Sequence, residues 1–461
     1  MEHTIAAIST SIVSSGAINI VRLSGKDAIE IADKVFVSKK GIKLSEVNSH
    51  TVHYGNIVNK DNIVDEVLVV VMKAPNTYTK EDVVEIDCHG GILVTKKVLE
   101  TLLDFGAVLA EPGEFTKRAF LNGRMDLSQA EAVIDVIHSK NEYALKSSIK
   151  LLSGKLSEKI KHIRTLLLNH ISYIEAALDD PEHMSLDNYA DKVNKDVDNC
   201  VDIVENLWKS ADNGSIVHNG IRTVILGKTN TGKSSLLNAL AKEEKAIVTD
   251  IEGTTRDTLE EQINLGGITL CLVDTAGIRD TNDYVESIGV KKAKENAQNA
   301  DLIIFVVDSS RQLDENDEKI ISLIKDKKVI VLLNKNDLDP VVTEKDLQKI
   351  KEYNKEFVAI SISAKNETGL DKLENAVKEM FFLGNISFND EIYIHNTRQK
   401  TLLKEAYESL KLVKIGIEDG VSEDFLTIDL MNAYEKLGVI IGEAVEDDVA
   451  NQIFSKFCMG K

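Results

Sequence analysis

The sequence predicts three kinds of fold in one chain: an α+β N-terminal domain, an α-helical domain, and an α/β domain inserted between the two halves of the helical one. Three observations carry this reading. Short β-branched runs punctuated by turn residues fill the first 121 residues or so. A helical apolar period then takes over, and it returns beyond Gly384. Between Ile221 and Phe382, strand-length apolar runs alternate with amphipathic segments, the pattern of a doubly wound parallel sheet. The predicted boundaries are 1–122, 123–217, 218–383 and 384–461.

In the first domain the expected strands include Ile18 to Leu23, Thr51 to Ile57 and Val67 to Met72. After Asp126, Ser128-Gln-Ala-Glu131 reads as a capping box, and Ala130, Val133, Ile134 and Ile137 fall on one helical face. Helices are expected to about Gly214, with a break at Pro181, whose ring removes a backbone donor. The inserted domain offers strands at Arg222 to Leu226, Thr269 to Val273, Leu302 to Val307 and Val329 to Leu333. Leu402, Ala406, Leu410 and Val413 mark the returning helix.

Composition narrows the class. The chain has 461 residues, 43% of them hydrophobic and 28% charged, which suits several packed cores rather than extended disorder. Its formal charge of −20 opposes general attraction to a polyanion, so a nucleic acid must meet a local basic patch. Cys88, Cys200, Cys271 and Cys458 are widely spaced and form no CxxC pair, so neither a zinc site nor a disulfide framework is expected, and a reducing cytoplasm fits. The stretch from Thr4 to Val21 is interrupted by serines and lacks preceding basic residues, unlike a signal peptide. The apolar runs are also far shorter than the roughly 20 residues needed to cross a bilayer.

The chemistry lies in the inserted domain. Gly227-Lys-Thr-Asn230-Thr231-Gly232-Lys233-Ser234, followed by Ser235, comes after an expected strand and opens an expected helix, the context of a phosphate-binding P-loop. Lys233 would neutralise the β and γ phosphates, and the Ser234 hydroxyl would bind Mg²⁺. Asp274-Thr275-Ala276-Gly277 follows the next apolar strand, bringing a carboxylate to the metal and a backbone N–H to the γ-phosphate. Asn334-Lys335-Asn-Asp337 ends another strand, and the Asp337 carboxylate suits the N1 and N2 donors that distinguish guanine from adenine. Ser363-Ala364-Lys365 would offer backbone N–H groups to guanine O6. Gly253-Thr254-Thr255-Arg-Asp257 lies between the P-loop and Asp274, where a loop can bring a threonine hydroxyl to Mg²⁺. In this order the motifs predict a P-loop GTPase domain.

The residue after Gly277 is Ile278, so no glutamine follows this motif to orient the attacking water. Arg256 and Arg279 offer positive charge in cis, and a monovalent cation held by Asn230 offers it equally well. Lys291, Lys292 and Lys294 read as a solvated helix face.

With Asn230 in the P-loop, the Thr254-Thr255-Arg256-Asp257 loop and the ending Phe457-Cys458-Met459-Gly460-Lys461, the chain resembles the MnmE family of tRNA-modifying GTPases, also called TrmE. The resemblance extends through Val21-Arg-Leu-Ser-Gly25, Tyr78-Thr-Lys-Glu-Asp-Val-Val-Glu85, Cys88-His-Gly-Gly91 and Pro112-Gly-Glu-Phe-Thr-Lys-Arg-Ala-Phe-Leu-Asn-Gly-Arg124. It departs at Ser11-Ile-Val-Ser-Ser15, where the family has a Pro- and Gly-rich loop, and at Met459, where the family prefers Ile.

That resemblance implies a folate-binding N-terminal domain and a homodimer whose K⁺-dependent G-domain pairing activates hydrolysis. Within Thr249-Asp250-Ile251-Glu252-Gly253-Thr254-Thr255 it places Thr249, Ile251 and Thr254 with Asn230 on K⁺, and Thr255 with Ser234 on Mg²⁺. Glu286 takes the role of a catalytic water-orienting acid. Arg22, Glu85, Arg124 and Lys461 form the implied site for 5-formyl- or 5,10-methylene-tetrahydrofolate. The implied partner is MnmG, in a heterotetramer that modifies C5 of the wobble uridine of certain tRNAs. Cys458 reads either as a thiol in the uridine chemistry or as a small packing residue, and His89 as structural, because no acid adjoins it in sequence. The competing class is a ribosome-assembly or signalling switch, which shares the nucleotide motifs but would carry a basic RNA-binding module in place of the N-terminal signature.

Overall fold

A computed structural model describes residues 3–11, 16–60, 62–243, 261–273, 295–325, 327–342, 344–354, 357–382, 392–443, 447–455, 457 and 460. The chain forms two compact units: Met1–Ile137 with Lys150–Val201 and Glu405–Lys461, and His138–Ile149 with Asp202–Lys404.

The first unit begins with β1 (Ile5–Ile8), β2 (Ile18–Ser24), α1 (Ala28–Val35), β3 (Phe36–Ser38), β4 (Thr51–Asn59), β5 (Asn62–Met72), β6 (Val83–His89), α2 (Ile92–Asp104), β7 (Val108–Leu109) and α3 (Glu114–Leu121). The strands make one sheet ordered β3-β4-β5-β6-β2-β1-β7, antiparallel except where β1 meets β7. Alternate residues Val67, Val69 and Val71 turn to a core shared with Ile31 and Val35 of α1 and Val98 and Leu102 of α2. β1 shows no polar alternation because both of its faces are covered. Ala6 joins that core, whereas Ile5 and Ala7 pack with Ala110 and Phe115.

The chain continues as α4 (Leu127–His138), α5 (Glu142–Leu152), α6 (Lys155–Asp179) and α7 (Tyr189–Asn219), with Pro181 in the gap between the last two. α4 starts before Ser128, which corrects the expected cap. Asp126 Oδ1 accepts from the Gln129 N–H at 3.1 Å, and Gln129 Oε1 accepts from the Asp126 N–H at 3.1 Å. The box is thus Asp-x-x-Gln, two residues early, and the Ser128 hydroxyl bonds to Asp126 and Ser157 instead of capping a backbone N–H. On this helix Ala130 and Val133 are buried, but Ile137 is 44% exposed.

α7 also runs past Gly214 to Asn219, followed by Gly220 at φ +84°. Gly214 is not a terminator. A Cβ there would overlap the Ile394 backbone carbonyl, so the glycine permits a close approach inside the helix.

The second unit holds β8 (Ile221–Leu226), α8 (Lys233–Glu243), β9 (Glu261–Leu265), β10 (Ile268–Leu272), β11 (Leu302–Asp308), α9 (Glu315–Ile321), β12 (Lys328–Asn334), α10 (Glu344–Tyr353), β13 (Phe357–Ser361) and α11 (Leu370–Phe382). The sheet order is β13-β12-β11-β8-β10-β9, parallel apart from the antiparallel edge strand β9. Every residue of β11 is buried, as befits a central strand with helices on both faces. Ile304 and Val306 join Leu240 and Leu373 on one side, while Ile303 and Phe305 join Ile321 and Ile350 on the other. From β8 the chain goes to β10 on one side and then to β11 on the other. This reversal leaves a crevice at the carboxyl end of β8.

The chain ends with α12 (Thr397–Glu418), α13 (Glu423–Ile441) and α14 (Asp447–Phe454). Leu403, Ala406, Leu410 and Val413 are fully buried on α12, so the first position of the expected stripe moves from Leu402 to Leu403. α13 packs on α6 in the first unit, and Arg164 joins them: it pairs with Glu443, 279 residues away, and lies 4.0 Å from the Tyr434 ring centroid.

Candidate functional site

The P-loop occupies the crevice after β8. Gly227 has φ +152°, and a Cβ there would come within 2.5 Å of the Val306 carbonyl, so only glycine passes this close to β11. Asn230 is left-handed at φ +63°, and Gly232 follows at φ +97°. Lys233 opens α8, and its ammonium donates to the Gly227 and Lys228 carbonyls at 2.7 and 2.6 Å. Burial lowers its pKa from the ordinary lysine value, because few waters remain to solvate the charge. The two carbonyls therefore hold the cation at the loop that is to receive phosphates. Ser234 and Ser235 follow in the first turn and are exposed.

Asn334 joins three of the motifs. Its Nδ2 donates to the Thr231 carbonyl at 2.7 Å, and its Oδ1 accepts from the Ala364 N–H at 2.9 Å. It is 2% exposed, and a Cβ at Gly232 would overlap its amide. Asp337 accepts from the Ser363 hydroxyl at 2.6 Å, a hydrogen bond that holds its carboxyl below the usual carboxylate range. Lys335, at φ +65°, donates to Asp308 at 2.7 Å. Lys365 is exposed beside Ala364. The structure thus brings together Thr231, Gly232, Lys233, Asn334, Lys335, Asp337, Ser363 and Ala364.

β10 leads toward Asp274, and the Val273 N–H bonds to Thr223 of β8 at 3.1 Å. Asp274, Thr275, Ala276 and Gly277 lie outside the described residues, as do Thr249 to Thr255, Arg256, Arg279, Glu286 and Lys291 to Lys294.

A second cluster forms in the first unit. Arg22 and Glu85 are cross-strand partners on β2 and β6, and Arg22 Nε and Nη2 reach Glu85 Oε1 at 2.7 and 2.6 Å. The Arg22 Nη1 donates to the Gly460 carbonyl at 3.4 Å, which brings the end of the chain to this strand pair. The Arg22 guanidinium also lies 5.9 Å from the Tyr78 ring centroid, and that of Arg124 lies 4.7 Å from the same centroid. A cavity of about 380 Å³ adjoins, lined by Tyr78, Arg124, Gln129, Val133 and Leu152 among others. Cys458 and Lys461 lie outside the described residues.

Several partners were hidden in the sequence. His89 does have an acid beside it: Asp65, from β5, accepts from its ring at 2.7 Å and from its backbone at 2.8 Å. Asp308, the partner of Lys335, is signalled only by being the polar end of an apolar strand. Cys88 and Cys200 are buried thiols, and burial pushes Cys200 up to about 12, which removes it as a nucleophile. Among the described residues no helix is long and apolar enough to cross a membrane.

Two family signatures match the chain: the GTP-binding protein TrmE N-terminus at residues 4–124 and the MnmE helical domain at residues 127–458. A tRNA modification GTPase MnmE of Lachnoclostridium phytofermentans is 56% identical over 459 residues, covering 99% of each chain. Relatives of the same description from Clostridioides difficile and Bacillus subtilis are each 46% identical, the first covering 100% of both chains and the second 99% of this chain and 100% of its own. This GTP-binding P-loop protein belongs to the MnmE family of tRNA modification GTPases.

Proposed function

We propose that this GTPase acts with MnmG to add a carboxymethylaminomethyl or aminomethyl group at C5 of the wobble uridine of certain tRNAs, in the cytoplasm, with a tetrahydrofolate carrying the one-carbon unit. The observation that supports the folate site is the meeting of Arg22 and Arg124 at Tyr78, with Glu85 paired to Arg22, beside the cavity that Tyr78 and Arg124 line. Guanidinium groups suit the glutamate carboxylate of a folate, a carboxylate suits the pterin N–H donors, and the apolar wall suits a planar ring. Lys461 would join them, next to Gly460, whose carbonyl already meets Arg22.

At the nucleotide, the described oxygen donors are of the hard kind that Mg²⁺ and K⁺ take: the Ser234 hydroxyl in the first turn of α8 and the Asn230 amide on the P-loop. Ser234 and Thr255 would hold Mg²⁺, and Asn230, Thr249, Ile251 and Thr254 would hold K⁺. Together these ions would neutralise charge developing between the β and γ phosphates. Glu286 would orient water, and pairing of G domains in a homodimer would complete the site.

The deciding experiment is nucleoside mass spectrometry of tRNA from a strain lacking this gene, complemented by wild type or by Arg22→Ala. The reading requires unmodified wobble uridine in the deletion and in the Arg22→Ala strain. Full modification in the deletion overturns the tRNA assignment, and full modification with Arg22→Ala overturns the folate site.

A further inference from the structure

The P-loop pattern leaves the residue after its first glycine free, yet here that residue is tied down more firmly than any phosphate-binding role requires. Lys228 Nζ pairs with Asp314 and, at 3.0 Å, with Asp317. The Lys228 side chain is 11% exposed and that of Asp317 only 3%. The two aspartates form a reciprocal capping box on α9: Asp314 Oδ1 accepts from the Asn316 and Asp317 N–H groups, and Asp317 Oδ2 accepts from the Asp314 N–H at 3.0 Å. One ammonium therefore closes over a cap that carries two carboxylates.

The backbone of the same residue faces the nucleotide site. Its carbonyl accepts from the Thr231 hydroxyl at 2.9 Å and from the Lys233 ammonium at 2.6 Å. A single residue thus connects the cap of α9 to the phosphate-binding lysine. An exposed ion pair would be worth little. This one has a buried end, and a buried pair fixes position because displacing either partner strands a desolvated charge.

We propose that Lys228 is a positioning residue: anchored on Asp314 and Asp317, it fixes the carbonyl that holds Lys233 in place to receive GTP phosphates. The preorganisation acts on binding rather than on the chemical step.

The test uses the full chain with GTP and Mg²⁺. Lys228→Met is expected to raise KM and the Kd of a fluorescent GTP analogue about tenfold while kcat moves by less than threefold, and Lys228→Arg, which keeps the charge, is expected to recover most of the affinity. The double variant Lys228→Met with Asp317→Asn removes the buried charge pair and leaves an acceptor for the Asp314 N–H, so it keeps the test open if the single variant is poorly folded. It is expected to fold and to retain the raised KM. Unchanged KM in the folded Met variants overturns the proposal. So does a joint loss of kcat, affinity and melting temperature that Lys228→Arg fails to rescue, because that pattern describes a merely structural pair.

Discussion

The Asn334 amide donates to the Thr231 carbonyl at 2.7 Å, which ties the end of β12 to the P-loop. Because Asn334 also accepts from the Ala364 N–H, removing its side chain leaves a buried carbonyl and a buried N–H without partners at once. Asn334→Ala is expected to destabilise this unit by about 1–3 kcal/mol for each stranded group, and, with the loop no longer held, to weaken GTP binding by about one to two orders of magnitude. Isothermal titration of GTP against the purified variant checks it, and affinity within threefold of wild type would contradict the locking role.

Base selection is expected to reside in Asp337. The Ser363 hydroxyl already donates to Asp337 Oδ1, which orients the carboxylate beside the Ser363 to Lys365 segment. Asp337→Asn would replace the acceptor proposed for the guanine N2 amino group with a donor and should shift preference to xanthosine triphosphate. Competition binding of GTP and XTP gives the answer, and a retained preference for GTP excludes this carboxylate from base recognition.

Much of this site was legible because its constraints are local. The spacing from Gly227 to Ser234 sets a strand, a loop and a helix start, and the structure has β8 and α8 at those positions. The uninterrupted apolar run from Leu302 to Val307 likewise marked a strand, β11. What could not be read were pairs made by topology. Lys228 and Asp317 are 89 residues apart, and His89 and Asp65 are 24 apart on separate strands, so no periodicity announces either pair. Local competition misled the reading too: Ser128 has the capping pattern, but Asp126 stands two residues earlier with Gln129 at the right offset and takes the cap. The sequence predicts helices to about Gly214, but α7 runs on to Asn219, and the close approach to Ile394 that Gly214 allows is invisible in one segment.

Gly214 therefore gives a stability prediction. Alanine normally favours a helix interior by up to about 1 kcal/mol over glycine. Here its Cβ would overlap the Ile394 carbonyl, and backbone must move. Gly214→Ala is expected to destabilise the protein by about 1–3 kcal/mol, the usual range for overpacking. Differential scanning calorimetry should show a lower melting temperature, and an increase would mean that the approach relaxes freely.

Acid should weaken the first unit through His170. Its ring lies between the Tyr189 hydroxyl and Asp196, each at 3.0 Å, and burial lowers its pKa although the Asp196 hydrogen bond opposes the shift. Lys192 nearby adds a smaller push in the same direction as burial. The folded state thus binds a proton less readily than the unfolded chain, whose histidine titrates near about pH 6.5. This contribution is complete above that pH and is lost as pH falls below it. Thermal melts at pH 7.5 and 5.5 should show a decline that is smaller in His170→Gln. An identical decline in the variant would assign the acid sensitivity to other groups.

The last prediction concerns the charge that opposes the developing negative charge on the bridging phosphate oxygen. Ile278 stands where a water-orienting glutamine would follow the Asp274 to Gly277 motif, and Asn230 supplies an amide on a loop residue at φ +63°, whose side chain is exposed. An amide oxygen ligates a bare monovalent ion, and selectivity among such ions comes from the size of the cage and the number of its ligands. Screening by salt, in contrast, depends on ionic strength and not on which alkali cation supplies it. Potassium is therefore expected to accelerate GTP hydrolysis by at least tenfold over sodium at equal ionic strength, and Asn230→Ala should abolish that difference. Turnover in matched KCl and NaCl measures it. Equal rates in the two salts would transfer the missing positive charge to Arg256 or Arg279, and alanine at each of these would then lower the rate in both.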